Sequence, residues 1–135
     1  MYLIDTNILL EIFLQGERSP EAKRFLRLTP FSNIYVTDLT IYSIGLALFK
    51  ADKQDAYIQF LNDLFSNGEV WRVQLMIDNM PRVSEIAHQY QLNFHDAYQY
   101  VSAEIYSLVL VSFNNIYDRT ENGYKTPVSL MKEEV

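Results

Sequence analysis

Short apolar runs alternate along this chain with longer stretches of helical period, and that alternation limits the fold more than any other feature. Tyr2-Leu3-Ile4 runs straight into Asp5, reading as a strand buried on both faces. Residues 6–14 follow with Ile8, Leu9, Ile12 and Phe13 at helical spacing, closed by Gly16. Ser19-Pro20-Glu21 opens a second helix, with proline at its first position. The pattern then repeats. A strand is predicted over 33–37, an all-round apolar and therefore buried helix over 39–50, and a further helix over 55–65. A third strand follows over 70–73, helices over 81–90 and 94–106, and the strongest strand over 108–113. Residues 128–130 add a possible fifth strand. Strands alternating with helices imply an α/β fold: one domain over 1–135, with a central parallel sheet of four to five strands and helices on both faces.

Charge and composition narrow the function classes. The 135 residues carry 11 basic and 17 acidic side chains, a formal net charge of −6. That sign excludes a simple basic coating of nucleic acid, but not an enzyme that meets phosphates through metal ions. Cysteine is absent, which removes disulfides, thiolate zinc sites and a cysteine nucleophile. No apolar run reaches the ~18 residues of a spanning helix, and the first residues lack the pattern of a signal peptide. A cytoplasmic protein without membrane association is the expectation.

Ligands of an open parallel sheet bind beyond the carboxyl ends of its strands. Asp5 leaves the first strand there; Asp38 and Ser43 follow the second, and Asn114 and Asn115 the last. Asp96 begins the helix that feeds the last strand. Two carboxylates at such an edge could hold one Mg²⁺ or Mn²⁺, although an Asp at a helix start is also an ordinary cap. Asp38 and Asp118 are weaker candidates, a cap and a surface residue respectively. Thr6 and Asn7 could orient Asp5 or cap the first helix. His88 and His95 have no third partner for a metal; His95, next to Asp96, could touch substrate, but reads first as a solvent-facing turn residue.

Leu3-Ile4-Asp5-Thr6-Asn7, the segment 37–46 and Asn93-Phe94-His95-Asp96-Ala97-Tyr98-Gln99-Tyr100 followed by Leu110-Val111-Ser112-Phe113 together resemble the PIN-domain family, which includes the VapC-type toxins. The resemblance spans nearly the whole chain. It implies a small α/β domain and a metal-dependent ribonuclease in which three or four acidic residues gather around Mg²⁺ or Mn²⁺. Asp5 and Asp96 match the first and third of these acids. Ser43 stands where the second is commonly Glu, and Asn114 where the fourth is commonly Asp; Ile116 stands where a further acid is often found.

Two carboxylates give a charge of only −2, enough for one ion and not for a two-metal mechanism. Asn114 could offer a neutral oxygen and Ser43 could hold a water. The expected catalytic set is thus Asp5, Asp96, Asn114 and Ser43, with Asp5 and Asp96 on one weakly held ion. Two functions remain open: a VapC-type endoribonuclease with a depleted acidic site, or a catalytically impaired PIN fold acting as a binding or regulatory module. The resemblance also implies an RNA substrate, a small antitoxin protein as partner, and homodimerisation, for which the apolar helix over 39–50 is a candidate surface. A receiver-like signalling domain fits less well, because only one acid follows the first strand and Asn114-Asn115 replaces a lysine after the last.

Overall fold

The computed structural model of this chain describes residues 1–133. β1 (Tyr2–Ile4), β2 (Ile34–Thr37), β3 (Trp71–Val73) and β4 (Val109–Val111) form one parallel sheet in the order β3-β2-β1-β4. Tyr2 pairs with Ile34 on one side and Val109 on the other, and Thr37 pairs with Val73. The chain steps outward from β1 to β3 and returns on the opposite side of β1 as β4. The strand order therefore reverses at β1, which puts the crevice beyond the carboxyl ends of β1 and β4.

Between the strands run α1 (Thr6–Phe13), α2 (Ser19–Leu28), α3 (Asp38–Lys50), α4 (Gln54–Leu61), α5 (Met80–Tyr90) and α6 (Phe94–Ile105); α7 (Pro127–Glu133) follows β4. Adjacent residues of β1 point to opposite faces. Ile4 packs with Ile8, Phe25, Ile44 and Leu48 beneath the first four helices. Leu3 packs with Val83, Ala97, Val101 and Leu110 beneath α5 and α6. Each face of the sheet owns an apolar core, which is why the strands read as unbroken apolar runs.

Three local features differ from the sequence reading. The fifth strand predicted over 128–130 is helix α7 instead. Thr126 and Ser129 exchange hydrogen bonds, Ser129 N–H to Thr126 Oγ1 and Thr126 N–H to Ser129 Oγ, and Pro127 takes the first helical position. These are helix-start signals stronger than a three-residue apolar run. The helix expected over 55–65 ends at Leu61 and continues as a wider turn, Asn62–Ser66. Finally, α3 is not buried all round. It buries Ile41, Ile44 and Leu48, while Tyr42, Leu46 and Phe49 stay 59%, 76% and 55% exposed. Among the described residues, no helix is long and apolar enough to cross a membrane.

Candidate functional site

Asp5 is the last residue before α1, and extended backbone (ψ 155°) makes it the N-cap. The residue is 2% exposed, and its carboxylate accepts from four donors. Oδ1 takes the Thr6 N–H at 2.8 Å and Gln99 Nε2 at 3.0 Å. Oδ2 takes the Ser112 hydroxyl at 2.8 Å and Asn7 Nδ2 at 3.4 Å. Burial pushes the Asp5 carboxyl above its ordinary value, and the Gln99 and Ser112 hydrogen bonds offset only part of that rise. All four lone-pair directions of the carboxylate are thereby used within the protein.

Asp96 lies in the first turn of α6, where its N–H is donated to the N-cap side chain of Asn93 at 2.8 Å. Its Oδ1 faces the Tyr117 hydroxyl at 3.4 Å and His95 Nδ1 at 3.8 Å; its Oδ2 faces Asn114 Nδ2 at 3.5 Å. Tyr117 is fully buried, and burial followed by the charges of Asp5 and Asp96 drives its hydroxyl far above the usual phenol value. His95 is raised by Asp96 beside its Nδ1, with Asp5 adding and burial opposing. Both carboxylates thus border the same tyrosine and the same histidine, and the topology brings them into one buried cluster.

A row of neutral groups lies behind that cluster. Thr37 Oγ1 donates to Gln99 Oε1 at 2.7 Å, and Gln99 Nε2 donates to Thr40 Oγ1 at 2.9 Å. Thr40 Oγ1 lies 2.8 Å from Thr6 Oγ1, which lies 3.0 Å from His95 Nε2. His95 is therefore not the solvent-facing turn residue expected from sequence: it is half-buried and ends a chain of side-chain hydrogen bonds. Thr37, Thr40, Ser112, Gln99 and Tyr117 were not singled out by sequence reasoning. One signal could have found Gln99, since it follows Asp96 by three on a helix and so shares its face.

The donor set does not fit a divalent cation. Mg²⁺ and Mn²⁺ need oxygens whose lone pairs converge on one point. Each Asp5 oxygen is already engaged by two protein donors. Asn114 turns its amide N–H₂ toward Asp96, while its Oδ1 accepts the Ile116 N–H at 3.1 Å. Ser43 is half-buried on α3, one turn beyond Thr40, and no side-chain hydrogen bond ties it to the pocket among the described residues. Thr37, not Asp38, caps α3; Asp38 is its first residue, accepting the Leu39 N–H and the Tyr98 hydroxyl, both at 2.8 Å. Asp118 and His88 are exposed. Among the described residues, no group of three or more His, Cys, Asp or Glu could hold a metal.

Three solved structures share this architecture. A toxin-antitoxin complex from Klebsiella pneumoniae matches with a TM-score of 0.75 and 24% identity, over 94% of this chain and 98% of that one. VapC20 of Mycobacterium tuberculosis, a sarcin-ricin loop cleaving toxin, matches with a TM-score of 0.75 and 16% identity, over 92% and 96% of the two chains. FitAcB from Neisseria gonorrhoeae matches with a TM-score of 0.69 and 16% identity, over 95% and 99%. At these identities the likeness is one of fold. No curated protein sequence matches the chain. The PIN domain family model matches residues 2–123, nearly the whole length that builds the sheet and its pocket, and the chain belongs to the PIN domain family.

Proposed function

We propose that this chain is a toxin-type PIN domain that retains the carboxylate pocket of a phosphodiester-cleaving enzyme without the capacity to hold a catalytic ion, and that it works by binding. One observation carries this reading: Asp5, the residue matching the family's first acid, has all its acceptor directions spent on Thr6, Asn7, Gln99 and Ser112. The neutral residues Ser43 and Asn114 at the second and fourth acidic positions point the same way. The partner in this reading is a small antitoxin-like protein, in keeping with a structural neighbour solved as a toxin-antitoxin complex. The exposed Tyr42, Leu46 and Phe49 of α3 supply a face for a second copy of the chain. A cysteine-free chain suits the reducing cytoplasm.

The second reading is a metal-dependent endoribonuclease with one Mg²⁺ or Mn²⁺ on Asp5 and Asp96, and Ser43 and Asn114 beside it. It is favoured by the position of both carboxylates around the same Tyr117 and His95. Incubation of purified protein with structured RNA and Mn²⁺ separates the two. The binding reading predicts no cleavage above the buffer background. Cleavage by the unaltered chain that Asp96→Asn abolishes would establish the ribonuclease.

A further inference from the structure

We infer that Gln99 is a positioning residue which, through Thr40 and Thr6, fixes neutral His95 with its proton on Nδ1, so that each carboxylate of the pocket faces a protein N–H. The inference shares with the proposed function the premise that no cation sits on Asp5.

The direction of the chain of hydrogen bonds follows from its two ends. Thr37 Oγ1 accepts the Thr40 N–H at 3.0 Å and donates its own proton to Gln99 Oε1 at 2.7 Å. That orients the amide. Its N–H₂ group then faces Asp5 Oδ1 at 3.0 Å and Thr40 Oγ1 at 2.9 Å, one proton to each. The flipped amide would set its oxygen against the Asp5 carboxylate, two acceptors in contact with no donor between them.

Thr40 Oγ1 accepts from Gln99 and has one proton to spend. Thr6 Oγ1 lies 2.8 Å away, nearer than Thr37 Oγ1 at 3.2 Å, and the hydroxyl contact between Thr37 and Thr40 runs from Thr37 to Thr40. The proton goes to Thr6. Thr6 then donates its own proton to His95 Nε2 at 3.0 Å. A ring nitrogen that accepts carries no hydrogen, so the proton of the neutral imidazole resides on Nδ1. Nδ1 is the nitrogen facing Asp96 Oδ1, at 3.8 Å. The amide of Gln99 and the imidazole of His95 thus present N–H groups to Asp5 and Asp96. Gln99 and Thr40 are fully buried and Thr6 is 6% exposed, so water does not compete for these bonds.

The test is nitrogen-15 correlation spectroscopy of the two histidine rings at alkaline pH, where both are neutral. His88 is exposed and serves as the internal reference for an unconstrained imidazole. His95 is expected to show a protonated-type Nδ1 and an unprotonated-type Nε2, a pattern distinct from that of His88. Thr40→Ser keeps the hydroxyl and the pattern. Thr40→Val cuts the chain and moves the His95 shifts toward those of His88; Thr6→Val cuts it one residue later and gives the same reading if Thr40→Val does not fold. A proton on Nε2 in the unaltered protein overturns the inference, as does a Thr40→Val or Thr6→Val ring unchanged from wild type. RNA cleavage by the unaltered protein would end the proposed function, while a proton on Nε2 in a cleavage-silent protein would end the relay alone.

Discussion

Gln99 Nε2 lies 3.0 Å from Asp5 Oδ1, although 94 positions separate the two residues in sequence. The contact joins the middle of α6 to the end of β1 and carries the first-position acid of the family on an amide. Removing the amide leaves the Asp5 carboxylate and the Thr37 and Thr40 hydroxyls each short of a buried partner. Gln99→Leu is therefore expected to lower unfolding stability by about 1–3 kcal/mol, the cost of stranding buried polar groups. Urea denaturation at neutral pH measures it, and a change below about 0.5 kcal/mol would mean that the amide contributes little.

Asp5 gives a pH dependence of definite sign. Its carboxyl is raised above 3.8 in the folded protein, so the native state holds a proton that the unfolded chain has released. The stability Asp5 contributes is fully present below pH 3.8 and is lost as pH rises through the folded value. The difference in unfolding free energy between wild type and Asp5→Asn should accordingly fall with rising pH across that window, then level off. A difference that grows with pH would show that the four hydrogen bonds outweigh burial.

Arg82 and Glu104 form the opposite case on the surface. Arg82 Nε and NH2 reach Glu104 Oε1 and Oε2 at 2.9 and 2.8 Å, a bidentate fork that holds the Glu104 carboxyl below its ordinary value. Its contribution is present above pH 4.5 and lost as pH falls through the folded value. Both side chains are about a third exposed, so solvent screens the pair. Arg82→Lys should cost roughly 0.5–1 kcal/mol at neutral pH and nothing measurable near about pH 3. Thermal melts at the two pH values decide it; an equal loss at both would assign the effect to packing.

The exposed stripe of α3 predicts self-association. Tyr42, Leu46 and Phe49 project from a helix whose opposite side is in the core, and Leu46 is 76% exposed. Sedimentation at micromolar concentration should return about twice the 15.8 kDa chain mass, and Leu46→Asp should return the single chain. A wild-type species of 15.8 kDa alone would remove the dimer.

The sheet was legible because each strand, buried on both faces, reads as a short apolar run, and Asp5 and Asp96 stood out as charges at element boundaries. The relay behind them was not. Thr37 and Thr40 look like ordinary cap residues, and Gln99 like one polar residue among several on a helix. Their partners lie 59 to 94 positions away, so no local period marks them. The half-buried place of His95 carries no local mark for the same reason, since its partner Thr6 lies 89 positions away. At 128–130 the Thr126-Pro127 start signal overrides a three-residue apolar run, and the segment is helix.

Calorimetric titration of Mn²⁺ into the unaltered protein and into Asp5→Asn decides whether the Asp5 carboxylate takes a cation. Identical traces with no saturable heat are expected, because four protein donors already engage the Asp5 carboxylate. A one-ion isotherm in the unaltered protein that Asp5→Asn abolishes would contradict it.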